Sequence, residues 1–308
     1  MILTVTLNTA LDLTYRVRSL RPHTSHRVSE VIERPGGKGV NVGRVLAALG
    51  HEVTVTGFAG GGTGRAVRDG LAKAGGLTDA LVPVAGATRR TIAVVDEHSG
   101  DTTQLNEPGP QIAPAEWAMF LDRYAELLSG ASAVALCGSL PPGVPVGAYA
   151  GLIRTARSLG VPVLLDTSGE PLRRGVAARP DIIKPNADEL AELTGSHDPL
   201  RATESARRRG AHTVIASLGP NGLLASTPEG RWRATPPGRV HGNPTGAGDS
   251  AVAALLSGLV TDLPWPTRLA HAIALSAATV RAPAAGEFDR QTYEELLGRV
   301  TVTGQAGR

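Results

Sequence analysis

The sequence predicts an α/β protein: a mostly parallel sheet covered by helices on both faces, with a second, smaller β-sheet beside it. Two observations lead there. Short apolar or β-branched runs alternate with helical runs, and a β-α-β-α order implies a parallel sheet. Two stretches, about 11–34 and 88–106, break that rhythm and alternate polar with apolar residues. The 308 residues can bury a full core. We expect one domain, 1–308, in which these two separate stretches build the small sheet.

The predicted central strands are ILTVTL (2–7), EVTVTGF (52–58), AVALCG (133–138), VPVLLD (161–166), DIIKPN (181–186) and HTVIASLG (212–219). Each is short and is closed by polar or glycine residues. The helical runs between them are VNVGRVLAALG, GRAVRDGLAKAG, PAEWAMFLDRYAELL, GAYAGLIRTARSLG, ADELAELTG and DPLRATESARRRG. Several end in glycine, as helix C-caps do. Ser99-Gly100 is a hairpin signal inside the second exceptional stretch, and a sheet made from two insertions could close over a site as a lid. The tail TGQAGR is expected to be loose.

Composition narrows the function classes. Aromatic residues make up 3% of the chain, too few for a base-stacking platform, and the formal charge is only +3. That argues against nucleic acid and favours small anions. The cluster Arg207-Arg208-Arg209 before Gly210 reads as a capped helix C-terminus. The single cysteine, Cys137, lies in an apolar run and reads as core. With no internal disulfide available, we expect a cytoplasmic protein. The N-terminus reads as a strand, not a signal peptide. No apolar stretch is long enough to span a bilayer.

Ligands of parallel sheets bind beyond the carboxyl ends of the strands, and the unusual residues gather there. GNPTGAGDSAVAALLSGL sets Gly246, Ala247 and Gly248 at the start of an apolar helix, followed at once by Asp249. Bare N–H groups at such a start attract anions. RPGGKGVNV is a second glycine-dense helix start, with Lys38 and Asn41; Gly37 allows close approach of a ligand. It lacks the spacing of a P-loop. A packing turn is the alternative for either cluster taken alone. KPNADEL reads either as a capping box, Asn186 with Glu189, or as an organiser of hydrated magnesium and phosphates. SLGPNG follows a strand as a polar glycine turn. Asp12, Arg89, Arg90 and Ser139 also stand at predicted strand ends or at the start of a small-sheet strand.

Taken in order, TLNTALD, PGGKGVNV, GSLPPG, KPNADEL, SLGPNG and PTGAGDS resemble the pfkB carbohydrate kinases of the ribokinase-like fold. The likeness is to the branch of 1-phosphofructokinase and tagatose-6-phosphate kinase. It runs over nearly the whole chain, and the pairing of GGKG-x-N with a distant GAGD is its most specific part. The resemblance implies a three-layer ribokinase-like sandwich with a β-sheet lid, ATP as phosphoryl donor, and Mg²⁺. Asp249 then falls on the catalytic base and Gly246, Ala247 and Gly248 on the anion hole. Asp12, Gly37, Lys38, Asn41, Arg89 and Ser139 fall on the sugar site. Lys184, Asn186, Ser217, Gly219 and Gly222 fall on the nucleotide site, and Glu189 on the metal position.

The expected reaction is phosphorylation of a hexose phosphate to a bisphosphate: fructose 1-phosphate first, then tagatose 6-phosphate or fructose 6-phosphate. A homodimer through the lid is expected as well. The sequence departs from the pattern at three places. Proline is absent after Asn8; Thr91 stands where asparagine is common; Gln104 stands where some relatives carry an arginine. The last two bear on the substrate, and Arg90, Arg27 or Lys38 could offset the lost arginine. The alternatives are a kinase of an unphosphorylated sugar or nucleoside, and a non-catalytic sugar-phosphate sensor.

Overall fold

A computed structural model of the chain describes residues 1–306. The first third runs β1 (Ile2–Thr6), β2 (Ala10–Val17), β3 (Glu30–Gly36), α1 (Lys38–Ala48), β4 (Val53–Gly60), α2 (Gly61–Ala74), β5 (Leu77–Asp79), β6 (Val82–Val84), β7 (Arg89–Asp96) and β8 (Thr102–Asn106). The middle runs α3 (Pro114–Leu128), β9 (Ala133–Cys137), α4 (Ala148–Ser158), β10 (Val163–Asp166), α5 (Gly169–Ala177), β11 (Ile182–Ile183), α6 (Ala187–Thr194) and α7 (Pro199–Arg208). The chain then continues through β12 (Thr213–Ser217), β13 (Leu223–Thr227), β14 (Gly230–Thr235), α8 (Ala247–Val260), α9 (Trp265–Val280), α10 (Arg290–Leu297) and β15 (Thr301–Ala306).

The main sheet has eleven strands among the described residues, in the order β15-β14-β13-β12-β11-β10-β9-β1-β4-β5, with β6 also paired to β4. It is parallel from β5 to β12 and antiparallel from β12 to β15. The six sequence-predicted strands are all in the parallel part. The antiparallel meander was not predicted. Its strands are short and lack the flanking helices that announce a parallel unit. The tail is corrected as well: Thr301–Ala306 pairs with β14 as an edge strand, while Gly307 and Arg308 lie outside the described residues. Pairing overrides the weak local propensity of a Gly-containing tail.

Side-chain alternation along each strand builds the layers. In β9, Ala133, Ala135 and Cys137 share a core with buried residues of α1, α8 and α9, while Val134 and Leu136 share a core with α3 and α4. The small residues on the first face admit α8, which is buried on nearly every side. The second face is filled by Phe120, Tyr124 and Tyr149.

The two exceptional stretches come together in a separate four-stranded sheet, order β3-β2-β7-β8. β2 pairs antiparallel with β3 and parallel with β7, which sets Asp12 opposite both Arg34 and Thr91. The hairpin falls where Ser99-Gly100 predicts it, with Gly100 at φ 77° and the Asp96 carboxylate accepting the His98 and Ser99 amides at 2.9 and 3.1 Å. Parallel pairing brings the ends of β1, β9 and β10 to one edge, with Thr6 beside Cys137 and Cys137 beside Asp166.

Candidate active site

The starts of α1 and α8 meet at that edge. Gly246 caps α8 at φ 87° with no side-chain cap; the Ala247 amide donates to the Pro244 carbonyl at 3.1 Å, and the next two amides, of Gly248 and Asp249, are left bare. Asp249 stands in the first turn, and its Oδ2 accepts from Asn41 Nδ2 of α1 at 2.9 Å. Burial raises the Asp249 carboxyl to about 6, and the neighbouring Asp166 charge adds to the rise. Lys38, Lys184 and the Asn41 hydrogen bond oppose it. The result is a carboxylate ionised at neutral pH yet basic enough to take a proton.

Asp166 was not among the sequence-predicted site residues. It ends β10 and is 2% exposed. Its two oxygens hold two lysines: Lys38 Nζ at 3.0 Å on Oδ2 and Lys184 Nζ at 3.2 Å on Oδ1. Although burial alone would raise it, these two cations keep Asp166 below its ordinary range. In turn, Asp166 and Asp249 outweigh the burial of Lys38 and hold its ammonium above its usual value. The signal that could have found Asp166 was its position, a lone carboxylate closing an apolar strand.

The two lysines are thereby fixed at the mouth of α8. A Cβ placed on Gly248 would come within 3.5 Å of Lys184 Nζ, so the flank of this helix start is open toward the cations. An anion there would meet bare amides on one side and two ammonium groups on the other.

The remaining predicted residues fall in three places. Asp12 lies over Gly36, where a Cβ would sit 2.0 Å from its Cγ. It lines a small cavity of about 50 Å³ with Thr91, Gln104, Thr245 and Ala285. Burial raises its carboxyl to about 6, against the opposing charge of Arg89, the Thr91 hydrogen bond and the charge of Arg44. Gln104 Nε2 donates to Thr245 Oγ1 at 3.3 Å, joining the small sheet to the loop before Gly246.

Asn8, also missed, organises the second place. It is buried, its side-chain amide donates to Ser139 Oγ at 3.1 Å and to the Pro108 carbonyl at 3.0 Å, and its main-chain carbonyl accepts from Arg89 Nε at 3.1 Å. Arg89 donates further to Thr91 Oγ1 at 3.2 Å. Arg90 is tied to Glu107 at 3.0 Å. Arg27, the other proposed stand-in, is exposed in the loop after β2.

In the third place, Asn186, Ser217 and Gly219 line a cavity of about 540 Å³. Two predicted nucleotide residues lie elsewhere. Lys184 is with Asp166, and Gly222 packs under β14, where a Cβ would meet the Ala234 carbonyl at 2.0 Å. Asn186 and Glu189 form a complete capping box: Asn186 Oδ1 accepts from the Glu189 amide at 2.8 Å, and Glu189 Oε2 accepts from the Asn186 amide at 2.9 Å. Such a cap is worth about 1 kcal/mol. Among the described residues, no three His, Cys, Asp or Glu side chains gather into a metal-binding group, and no helix is long and apolar enough to cross a membrane.

Solved structures share this fold. The Escherichia coli phosphofructokinase-2, solved as a tetrameric inhibited form, is 29% identical, with a TM-score of 0.90 over 97% of this chain and 98% of that one. Its complex with fructose-6-phosphate superposes with a TM-score of 0.89 at 28% identity, with the same coverage of both chains. A Thermotoga maritima protein described as a "possible 1-phosphofructokinase" is 28% identical, with a TM-score of 0.89 and 99% of both chains covered. The model of the pfkB family carbohydrate kinases matches residues 3–292. The chain therefore belongs to the pfkB family and is a phosphotransferase that acts on a sugar hydroxyl with ATP as donor.

Proposed function

We propose that the protein phosphorylates a hexose phosphate to a bisphosphate, with fructose 1-phosphate as the first acceptor and tagatose 6-phosphate or fructose 6-phosphate next. The observation that carries the reading is Asp249 in the first turn of α8, beside bare amides and two lysines fixed by Asp166. Phosphoryl transfer depends on positioning and charge stabilisation more than on covalent chemistry. Asp249 would accept the acceptor hydroxyl's proton as the new O–P bond forms. The Gly246–Gly248 backbone and Lys38 would stabilise charge on the moving phosphoryl group. Asp12 would hold sugar hydroxyls, and the cavity with Asn186, Ser217 and Gly219 would take the nucleotide. The small sheet would act as a lid that keeps out water, a rival acceptor.

The donor set also suits magnesium. That ion takes one or two carboxylates, keeps several waters and is completed by phosphates, so a protein cage is not required. Glu189 leaves Oε1 outside its cap and would hold the hydrated ion, which would neutralise phosphate charge. A cytoplasmic location and a homodimer through the small sheet complete the reading. Val31 and Leu105 are 55% and 57% exposed and give that sheet an apolar flank for a second copy.

A second reading has a specific observation behind it. Arg89 is engaged by backbone and Thr91, and Arg90 by Glu107. A kinase of an unphosphorylated sugar needs no free arginine. An acceptor screen with ATP and Mg²⁺ separates the readings. Turnover of the phosphosugars, with a loss of about tenfold or more in kcat/KM for Arg89→Ala, supports the first. Turnover of free sugars or nucleosides only, indifferent to Arg89→Ala, replaces it with the second. Sugar-phosphate binding without ATP turnover would make the protein a sensor.

A further inference from the structure

The loop between α9 and α10 carries a carboxylate that no motif announces. Glu287 Oε1 accepts from Arg34 of β3 and, at 2.8 Å, from Arg44 of α1. One oxygen thus ties the small sheet, the body and its own loop together. All three side chains are largely shielded: Arg44 is 15% exposed, Arg34 26% and Glu287 33%.

The residues just before Glu287 interlock with the reacting centre. Gly286, at φ 76°, lies so close to Asn41 that a Cβ would meet its Cα and Oδ1 at 3.2 Å. Asn41 is the donor to Asp249. Ala285 lies against Gly246, where a Cβ would meet it at 2.9 Å. Arg34 lines the same small cavity as Asp12, Gln104 and Thr245. Movement of this loop would therefore be felt by both partners of the transfer: the small-sheet carboxylate Asp12 and the α8 start.

We propose that Glu287 is a positioning residue, a strap whose two arginine contacts fix the small sheet against the start of α8 and so set where the acceptor lies relative to Asp249. Its kinetic consequence rests on the phosphoryl-transfer reading above; its structural consequence does not. The Gln104–Thr245 hydrogen bond is a second, neutral tie across the same gap. Glu287 is the charged one and the one that reaches α1.

The test uses Glu287→Gln, which keeps size and one acceptor but removes the charge, together with Arg34→Ala and Glu287→Asp. Hydrogen exchange should accelerate about fivefold or more in segments 10–17 and 30–36, while α3 and α4 keep wild-type rates. The acceptor KM should rise about tenfold in Glu287→Gln, with the ATP KM within about twofold of wild type. Glu287→Asp should recover most of the loss, and the Arg34→Ala/Glu287→Gln pair should cost less than the sum of the two. Wild-type exchange in the small sheet of Glu287→Gln overturns the strap, as does acceleration spread evenly over the molecule. Local acceleration with an unchanged acceptor KM overturns the positioning role. If the wild-type protein phosphorylates no sugar, the function reading falls, and the exchange pattern still upholds or removes the strap.

Discussion

Two helix starts in this protein have nearly the same sequence texture, glycines around one small or charged residue, and the glycine after that residue, Gly39 at α1 and Gly248 at α8, serves opposite ends. At α1, Gly37 and Gly39 are jammed against β1. A Cβ on Gly37 would meet the Thr6 side chain at 2.6 Å, and one on Gly39 would meet Thr6 Oγ1 at 2.3 Å and the Val5 carbonyl at 2.7 Å. At α8, Gly248 has only Lys184 Nζ nearby, at 3.5 Å. The first cluster is a packing device that lets α1 seat on the sheet and bring Lys38 and Asn41 forward. In the second, Gly246 packs on Ala285, where a Cβ would come within 2.9 Å, and Gly248 alone leaves its flank open. Glycine density marks neither use; what a Cβ would touch decides it.

The largest expected effect belongs to Asp249, in the first turn of α8. Asp249→Asn should lower kcat by about 10²–10⁴-fold, the ordinary worth of a general base, in a coupled assay. The same change should raise the melting temperature at pH 8 by about 2 °C or more. The sign follows from the raised carboxyl: keeping Asp249 ionised when folded costs stability above about pH 6, and the amide removes that cost. An unchanged kcat would end the assignment of Asp249.

Asp166→Asn should be the most destabilising of these substitutions. It leaves Lys184, 6% exposed, without its ion-pair partner, which for a buried pair costs about 3–5 kcal/mol; Lys38, 43% exposed, is screened by solvent and adds little. Asp166 is depressed in the fold, so its contribution is present above the unfolded-state value near 3.9 and fades as pH falls through its folded value. Urea titrations of wild type and variant should therefore converge toward acid pH.

The glycines themselves break the comparison directly. Gly39→Ala should lose about 1–3 kcal/mol of stability through overpacking against β1, visible as a lower urea midpoint. Gly248→Ala should keep a wild-type midpoint, since alanine favours the helix, yet lose about tenfold or more in kcat because its methyl enters the anion's space. If both variants behave alike, the distinction is wrong. The smallest effect concerns pH. The acid limb of kcat should rise through about pH 6 with Asp249. Asn41→Ala should move that limb upward, because the Asn41 hydrogen bond favours the ionised form.

Much of this arrangement was legible before any coordinates. Strand and helix periodicity gave the parallel sheet, and the two polar–apolar stretches gave the small one, because those signals are local. The GAGD run was legible for the same reason: a helix start and its carboxylate are neighbours in sequence. The Asn186–Glu189 pair was legible only as two alternatives, and the structure shows the cap.

Other features were not legible. Asn8, Asp166 and Glu287 act across separations of about 80 to 250 residues, with partners Arg89 and Ser139, Lys38, and Arg34 and Arg44. Nothing in the one-dimensional pattern pairs them. The antiparallel edge from β13 to β15 was hidden too, since edge strands take their order from neighbours.

The sequence by itself determined the alternation of elements, the helix starts and the residue types placed there, because backbone sterics and hydrophobic period act over a few residues. Only the tertiary structure decided which glycines pack and which leave space, and which charges neutralise one another. Burial and Coulomb forces depend on distance through space, and the chain order does not contain that distance.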